Sequence, residues 1–387
     1  MATPAQEAIR DEIARRGPIP FADYMALALG HPAGGYYTAA AARPTRPGDF
    51  LTAPELHPIF GAALARQVGE AWERLGRPDP FVLLEYGAGA GTLALAVLAG
   101  LRADGSQLAD ALAYAPVELN VHRLAELGER TAAAGLRLVD PGGLDADPAT
   151  GMVVASEYLD ALPVHVLEIR DGRPREVLVG TGEGGAFEEV LGAPGWASDP
   201  RLGLRLKALA ATGIGLAEGQ RLEICLAVEP WVREVGQRLA AGLVVVLDYG
   251  APAAELYGPR RRAGTLMTYR RHVADGGTDA PYRDVGERDI TAHVDTTALA
   301  AALAAAGFDV LGETSQAELL VGCGLEDLVL REIAAAAGAA AALELRSAVM
   351  RLLEPRHLGG FRAVLAGRGL AAEPPLRGLS YRMPGRG

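Results

Sequence analysis

An acid two residues ahead of three alternating glycines is the stretch of this chain best suited to chemistry. Residues 81–93 read Phe-Val-Leu-Leu-Glu-Tyr-Gly-Ala-Gly-Ala-Gly-Thr-Leu, so Glu85 and Tyr86 precede Gly87, Gly89 and Gly91. The apolar run Phe81–Leu84 predicts a buried strand, and the pattern from Leu93 to Leu101 predicts a helix. Glycine lets backbone approach a ligand closely, and a helix start offers unpaired N–H groups. Together they form a nucleotide-type cradle. The dinucleotide fingerprint G-x-G-x-x-G needs a glycine where this chain has Thr92. A carboxylate at Glu85 would repel a pyrophosphate and attract a cofactor with an ammonium and a sulfonium. The expected cofactor is therefore S-adenosylmethionine (SAM) rather than NAD. A glycine-rich strand–helix turn with no ligand is the plain structural alternative.

Other acids fall near the ends of apolar runs: Glu118, Glu157 and Asp248, with Asp160 just beyond. In open α/β sheets ligands sit beyond the carboxyl ends of the strands. Glu118 could accept both ribose hydroxyls of an adenosine. Asp140 could approach an adenine amine, although a surface role suits it better. In Ser156-Glu157-Tyr158-Leu159-Asp160-Ala161-Leu162-Pro163, Glu157 and Asp160 could hold a cationic nucleophile and accept its proton. Each acid could equally cap a turn or bind backbone.

The elements that must position these residues alternate from about residue 80. Strands are expected at 81–86, 114–118, 136–139, 152–156 and 242–248, and helices at 92–102, 121–133 and 230–240. This alternation predicts a parallel sheet covered by helices. Ahead of it, helices are expected at 4–16, 21–29 and 54–75. Residues 31–37 should form a loop with two aromatic anchors, and 39–49 an exposed loop. Strands at 164–169 and 176–179 flank Asp171-Gly172, a hairpin turn. Residues 181–200 read as an exposed loop and 221–228 as a further strand.

Composition bounds the class. The chain has 387 residues, half of them hydrophobic, enough for a large core. A net charge of −11 argues against a broad electrostatic grip on nucleic acid. Cys225 and Cys323, the two cysteines, make neither a disulfide framework nor a zinc cluster, and they suit a reducing cytoplasm. No apolar run reaches the length of a membrane span, and no secretory signal pattern opens the chain.

An ordered set of motifs carries a resemblance. It runs through Ile19-Pro20-Phe21-Ala22-Asp23-Tyr24-Met25, Gly34-Gly35-Tyr36-Tyr37, and Gly48-Asp49-Phe50-Leu51-Thr52-Ala53-Pro54-Glu55 with Phe60-Gly61. The Glu85 glycine turn, Ser156-Glu157 to Pro163 and Leu247-Asp248-Tyr249-Gly250 follow. Gly264-Thr265-Leu266 with His272, and Asp289-Ile290-Thr291-Ala292-His293-Val294-Asp295, complete it. Across residues 18–325 the chain resembles the MidA family of SAM-dependent methyltransferases, which includes mitochondrial complex I assembly-factor arginine methyltransferases. The resemblance implies an α/β, class I methyltransferase fold with a Rossmann-like, mostly parallel seven-stranded-type sheet, an N-terminal helical extension and an inserted α+β segment. Together with the residue pattern it gives an extension at 1–76 packing on the cofactor site and a core at 77–325, with C-terminal helices at 326–372; the pattern along the chain itself reads about 165–225 as an insertion and the proline- and glycine-rich stretch 373–387 as a loosely ordered tail. The resemblance adds Thr52 and Glu55 to the expected cofactor contacts Glu85, Tyr86, Gly87, Gly89, Gly91 and Glu118. Glu157 and Asp160 become the catalytic candidates. Thr291 and His293 are expected to order a loop, with no metal.

Three departures stand out. Ala88 and Ala90 replace the proline and a larger residue usual in the glycine turn, Ser156 stands where the family usually has Asn, and Pro174 replaces an aromatic residue. The expected activity is methyl transfer to a protein side chain, arginine by resemblance, without nucleic acid or membrane partners and with a homodimer open. Methylation of a small molecule or another residue, or a non-catalytic assembly role on the same fold, are the alternatives.

Overall fold

The computed structural model describes residues 2–39, 52–193, 197–270 and 273–383. Gly48 to Leu51 and His272 of the motifs, and the loop expected at 39–49 apart from Ala39, lie outside the described residues. Two compact units account for the chain. The first comprises Met1–Phe50, Leu159–Trp231 and Gly250–Leu299; the second comprises Leu51–Tyr158, Val232–Tyr249 and Ala300–Gly387.

The second unit is built on one sheet. Its strands are β1 (Phe81–Tyr86), β2 (Leu112–Val117), β3 (Arg137–Leu138), β4 (Ala149–Ser156), β5 (Leu239–Asp248), β6 (Asp309–Ser315) and β7 (Arg362–Arg368). They lie in the order β6-β7-β5-β4-β1-β2-β3. β1 to β5 run parallel, and β7 pairs antiparallel with both β5 and β6. This is the mostly parallel seven-stranded sheet that the resemblance implied. Apolar side chains on both faces bury it, as parallel sheets require. Phe81, Leu83, Met152, Val154, Leu243 and Val245 fill one face. Each fully buried large aliphatic side chain is worth roughly 1.5–3 kcal/mol.

Helices Ile59–Arg74 and Thr92–Ala103 pack closely because two positions have no side chain. A Cβ on Gly61 would lie 2.4 Å from the Ala96 Cβ, and one on Gly100 would lie 2.8 Å from the Ala62 Cα. The helix expected at 54–75 is two helices, Ala53–Leu56 and Ile59–Arg74. Pro58 disfavours helical backbone in the residue before it, and His57 is extended at φ −164°.

Two C-terminal expectations also change. Helices Leu325–Ala335 and Ala339–Leu353 form, but Arg362–Arg368 is strand β7. Residues 373–383 are anchored rather than loose: Leu376 is buried, and the Gly378 N–H donates to Gln67 Oε1 at 2.9 Å.

The first unit holds an antiparallel sheet. Ile19–Pro20, Arg173–Thr181, His165–Arg170 and Arg221–Ile224 lie side by side, and Phe187–Leu191 also pairs with Arg173–Thr181. The Asp171-Gly172 hairpin forms with both residues at positive φ, as a two-residue turn requires. The loop expected at 181–200 contains the strand Phe187–Leu191, whose Phe187 is buried while its glutamates face out. Helices Pro4–Arg16 and Phe21–Gly30 contribute Ile9, Ile13, Phe21, Tyr24 and Met25 to a core shared with Val177 and Val179.

Candidate cofactor and transfer site

Register brings the strand-end acids of the second unit together. Tyr86 on β1 pairs with Val117 on one flank and Ala155 on the other, and Ser156 pairs with Leu247. Four strands therefore end level, and Glu85, Glu118, Glu157 and Asp248 occupy one edge of the sheet. The glycine turn after β1 takes positive φ at Gly87, Gly89 and Gly91, which side chains resist. A Cβ on Gly89 would meet nothing within 4 Å, so the turn opens onto free space there. A Cβ on Gly87 would lie 3.2 Å from the Tyr158 ring.

Glu85 is buried and accepts a 2.6 Å hydrogen bond from the Tyr114 hydroxyl. Burial pushes its carboxyl up to about 8, the Tyr114 bond opposes the rise, and the Glu118 charge adds to it. Without a cation nearby, much of Glu85 is neutral at physiological pH. A ligand ammonium would restore its charge.

Glu118 fastens the cradle. Its Oε2 accepts from the Gly89 N–H at 2.8 Å and its Oε1 from the Asn120 N–H at 2.8 Å. Each carboxylate oxygen has a further lone pair for a ribose hydroxyl. Leu119 and Val121 flank it and are 67% and 69% exposed. That exposed apolar pair beside an acid suits a purine ring, and the Leu-Asn-Val pattern after the second strand could have pointed to it. Arg130 is another residue the sequence reading missed. Its guanidinium donates to the Ala90 carbonyl at 2.7 Å and to Thr92 Oγ1 at 3.2 Å, pinning the turn and the start of helix Thr92–Ala103 to helix Val121–Ala134.

Tyr86 extends to the opposite sheet face. Its hydroxyl donates to Glu234 at 3.0 Å, Arg238 donates to it at 3.3 Å, and its ring lies 5.5 Å from Tyr158. Its contribution to the turn is packing and backbone. Asp140 is exposed and caps the turn at Gly142.

The loop after β4 is strained. Glu157 takes φ 53°, unusual for a residue with a side chain. Its Oε1 accepts from the Ala53 N–H at 2.8 Å, at the start of helix Ala53–Leu56. Thr52 precedes that helix, and Glu55 is exposed in its first turn. Buried Asp248 accepts from the Tyr158 N–H at 3.2 Å and the Tyr249 N–H at 2.8 Å, tying β5 to the same loop.

Asp160 belongs to the first unit. It is buried, its carbonyl accepts from the Ala292 N–H at 2.9 Å, and its charge helps raise the Tyr37 hydroxyl, whose main cause is burial. The Tyr37 hydroxyl donates to Asp289 at 2.7 Å, so the Gly-Gly-Tyr-Tyr and Asp289–Asp295 motifs meet here. The Gly264-Thr265 turn is clasped by buried Glu223, which accepts from the Thr265 N–H at 2.9 Å and its hydroxyl at 3.0 Å. Thr265 Oγ1 in turn accepts from the His293 N–H at 3.0 Å. Burial and then the Arg261 charge push His293 down to about 4, so it is neutral at physiological pH. Thr291 ends the short strand Asp289–Thr291, which pairs with Met267–Arg270. Cys225 lines a nearby cavity of about 20 Å³, room for about one water. Burial pushes its thiol up to about 11.

Comparison with known proteins places the chain among relatives. A family model for S-adenosyl-L-methionine-dependent methyltransferases matches residues 63–314. Among curated relatives, the mitochondrial protein arginine methyltransferase NDUFAF7 homolog of Drosophila melanogaster is 29% identical, over 74% of this chain and 67% of its own length. Its Mus musculus counterpart, protein arginine methyltransferase NDUFAF7, is 26% identical over 92% of this chain and 82% of its own. A crystal structure from Burkholderia thailandensis bound to S-adenosyl-homocysteine (SAH) superposes with a TM-score of 0.83 at 34% identity, covering 97% of this chain and 94% of the other.

Proposed function

The chain belongs to the family of S-adenosyl-L-methionine-dependent methyltransferases, and from that premise we propose that it methylates arginine side chains of a protein substrate. The single observation carrying the reading is the level row of Glu118, the glycine turn, Glu85 and Glu157 at the carboxyl ends of β2, β1 and β4. The residues fit the cofactor: an opening at Gly89, a buried acid for an ammonium, and an acid flanked by exposed apolar side chains for a nucleoside.

When bound, SAM supplies an electrophilic methyl group on sulfonium; the S–C bond breaks as a bond to the acceptor nitrogen forms. The chain's residues bind and orient. Glu85, Gly87, Gly89, Gly91 and Glu118 hold the cofactor, and Tyr86 supports the turn by packing. Thr52 and Glu55 stand on the segment that Glu157 fixes through Ala53. Positioning supplies much of the rate in such a displacement. A guanidinium stays protonated in water, so carboxylates must orient it and take the proton that the nitrogen loses. We assign that work to Glu157 and Asp160. Arginine as the acceptor is supported by the names of the curated relatives. An overall charge of −11 suits a basic protein segment better than nucleic acid.

We also infer a reducing compartment, the cytoplasm, from unpaired Cys225 and Cys323; the curated relatives are named mitochondrial. Among the described residues no helix is long and apolar enough to cross a membrane. The test is incubation with radiolabelled SAM and an extract of cells lacking this protein, followed by mass spectrometry of labelled peptides. Methylarginine is expected. Label confined to small molecules, or to another side chain, would overturn the assignment.

A further inference from the structure

Ser156 ends β4, and its Oγ is shielded from solvent with no hydrogen-bond partner among the described residues. A buried hydroxyl without a partner is costly, and such groups are few in folded proteins. This one sits where ligands of open α/β sheets bind.

Strand alternation places it. Met152 and Val154 lie in the core on one sheet face, so Ser156 belongs to that face. Phe81 and Leu83 lie in the same core, which puts Glu85 there too, and Glu85 pairs with Val154. Ser156 therefore stands one register step beyond the pair that follows Glu85. On its other flank is Leu247, an apolar side chain that offers no polar partner.

The strand order β2-β1-β4 sets Glu118, Glu85 and Ser156 in a row. Neighbouring strands are about 4.8 Å apart, so the β2 and β4 positions are separated by about 10 Å across β1. With a nucleoside at Glu118 and a cationic amino-acid end at Glu85, Ser156 falls on the far side, towards the methyl acceptor.

We propose that Ser156 Oγ accepts a hydrogen bond from an N–H of the acceptor guanidinium and helps decide which acceptor is turned over. The proposal rests on the methyltransferase reading above. A guanidinium carries five N–H donors and no acceptor, so the lone pairs of the hydroxyl are what it can use. The single small hydroxyl presents an acceptor while leaving the space that a larger amide would fill.

The test compares wild type, Ser156→Ala and Ser156→Thr in three measurements: melting temperature of the ligand-free protein, SAH affinity by calorimetry, and incorporation of labelled methyl into an extract of cells lacking the protein. Ser156→Ala should melt at the wild-type temperature or above, because it removes an unsatisfied hydroxyl. It should bind SAH within twofold of wild type and lose about tenfold or more in incorporation. Ser156→Thr, which keeps the hydroxyl, should retain most of the incorporation. A fall in the melting temperature of Ser156→Ala by several degrees would show that the hydroxyl is already satisfied in the free protein and would overturn the proposal. So would unchanged incorporation, or SAH affinity falling in step with incorporation, which would assign the hydroxyl to the cofactor. A wild-type protein that fails to bind SAH, or binds it and transfers nothing, would instead overturn the methyltransferase reading.

Discussion

At the scale of single residues, Glu85 sets stability against function. Its folded-state carboxyl is raised to about 8 from an ordinary value of 4.5, chiefly by burial. The folded chain therefore holds this proton more tightly than the unfolded chain. The stability associated with it is present below pH ~4.5 and is lost as pH rises towards about 8. Glu85→Gln keeps an acceptor for the Tyr114 hydroxyl and removes the charge. It should stabilise the ligand-free protein by roughly 1–3 kcal/mol at pH 8.5 and by little at pH 4.5, read by denaturant melts at both. The same substitution should weaken SAM binding at least tenfold. In wild type, binding of a cationic cofactor requires the carboxylate, so calorimetric affinity should rise between pH 6 and 8 with proton release. A flat pH profile would remove Glu85 from the ammonium site. Gly89→Val is a second case: its side chain would enter open space, so folding should survive at a cost of about 1–2 kcal/mol for positive φ while SAM binding is lost. The spacing of Glu85 and the glycines made the cradle legible in the sequence. Arg130 was not, because its partners lie about 40 positions away and nothing local marks the contact.

At the scale of elements, the loop after β4 and helix Ala53–Leu56 are held as one piece by Glu157. The carboxylate accepts the Ala53 N–H, one of the donors that a helix start leaves unsatisfied. Glu157→Gln preserves an acceptor oxygen and should leave melting within about 1 kcal/mol of wild type, whereas Glu157→Ala should cost about 1–2 kcal/mol. Equal melting of the two variants would show that the bond carries no weight. If Glu157 also takes part in transfer, both should lose methyl incorporation while only Glu157→Ala loses stability. Sequence periodicity predicted β1, β4 and β5 well because their central residues are buried on both faces and read as continuous apolar runs. It missed the strand Phe187–Leu191, where only Phe187 is buried and two glutamates break the pattern. It also ran one helix through His57-Pro58, where the i,i+4 apolar spacing of Phe60, Leu64 and Val68 outweighed a proline signal that should have ended the element.

At the scale of the whole molecule, each compact unit is assembled from three separated stretches of chain. Pairings such as Ile19 with Val179 leave no local trace, which is why a linear reading saw an extension, a core and an insertion. The C-terminal segment shows the same limit. Its proline and glycine content describes local preference, but what holds it lies about 300 residues earlier. The Gly378 N–H donates to Gln67 Oε1 at 2.9 Å, the Arg377 N–H donates to Glu70 at 2.8 Å, and Leu376 is buried. Ending the chain after Glu373 would remove the Leu376 side chain, worth roughly 2 kcal/mol, and would leave buried Gln67 without its backbone donor, a cost of about 1–3 kcal/mol. The truncated protein should melt roughly 5–15 °C below wild type. Leu376→Ala should reproduce about half of that loss, since it removes the apolar contact and keeps the hydrogen bonds. A loosely attached tail would give no shift in either variant, so a thermal melt of the two beside the full chain decides whether this segment is part of the second unit's core.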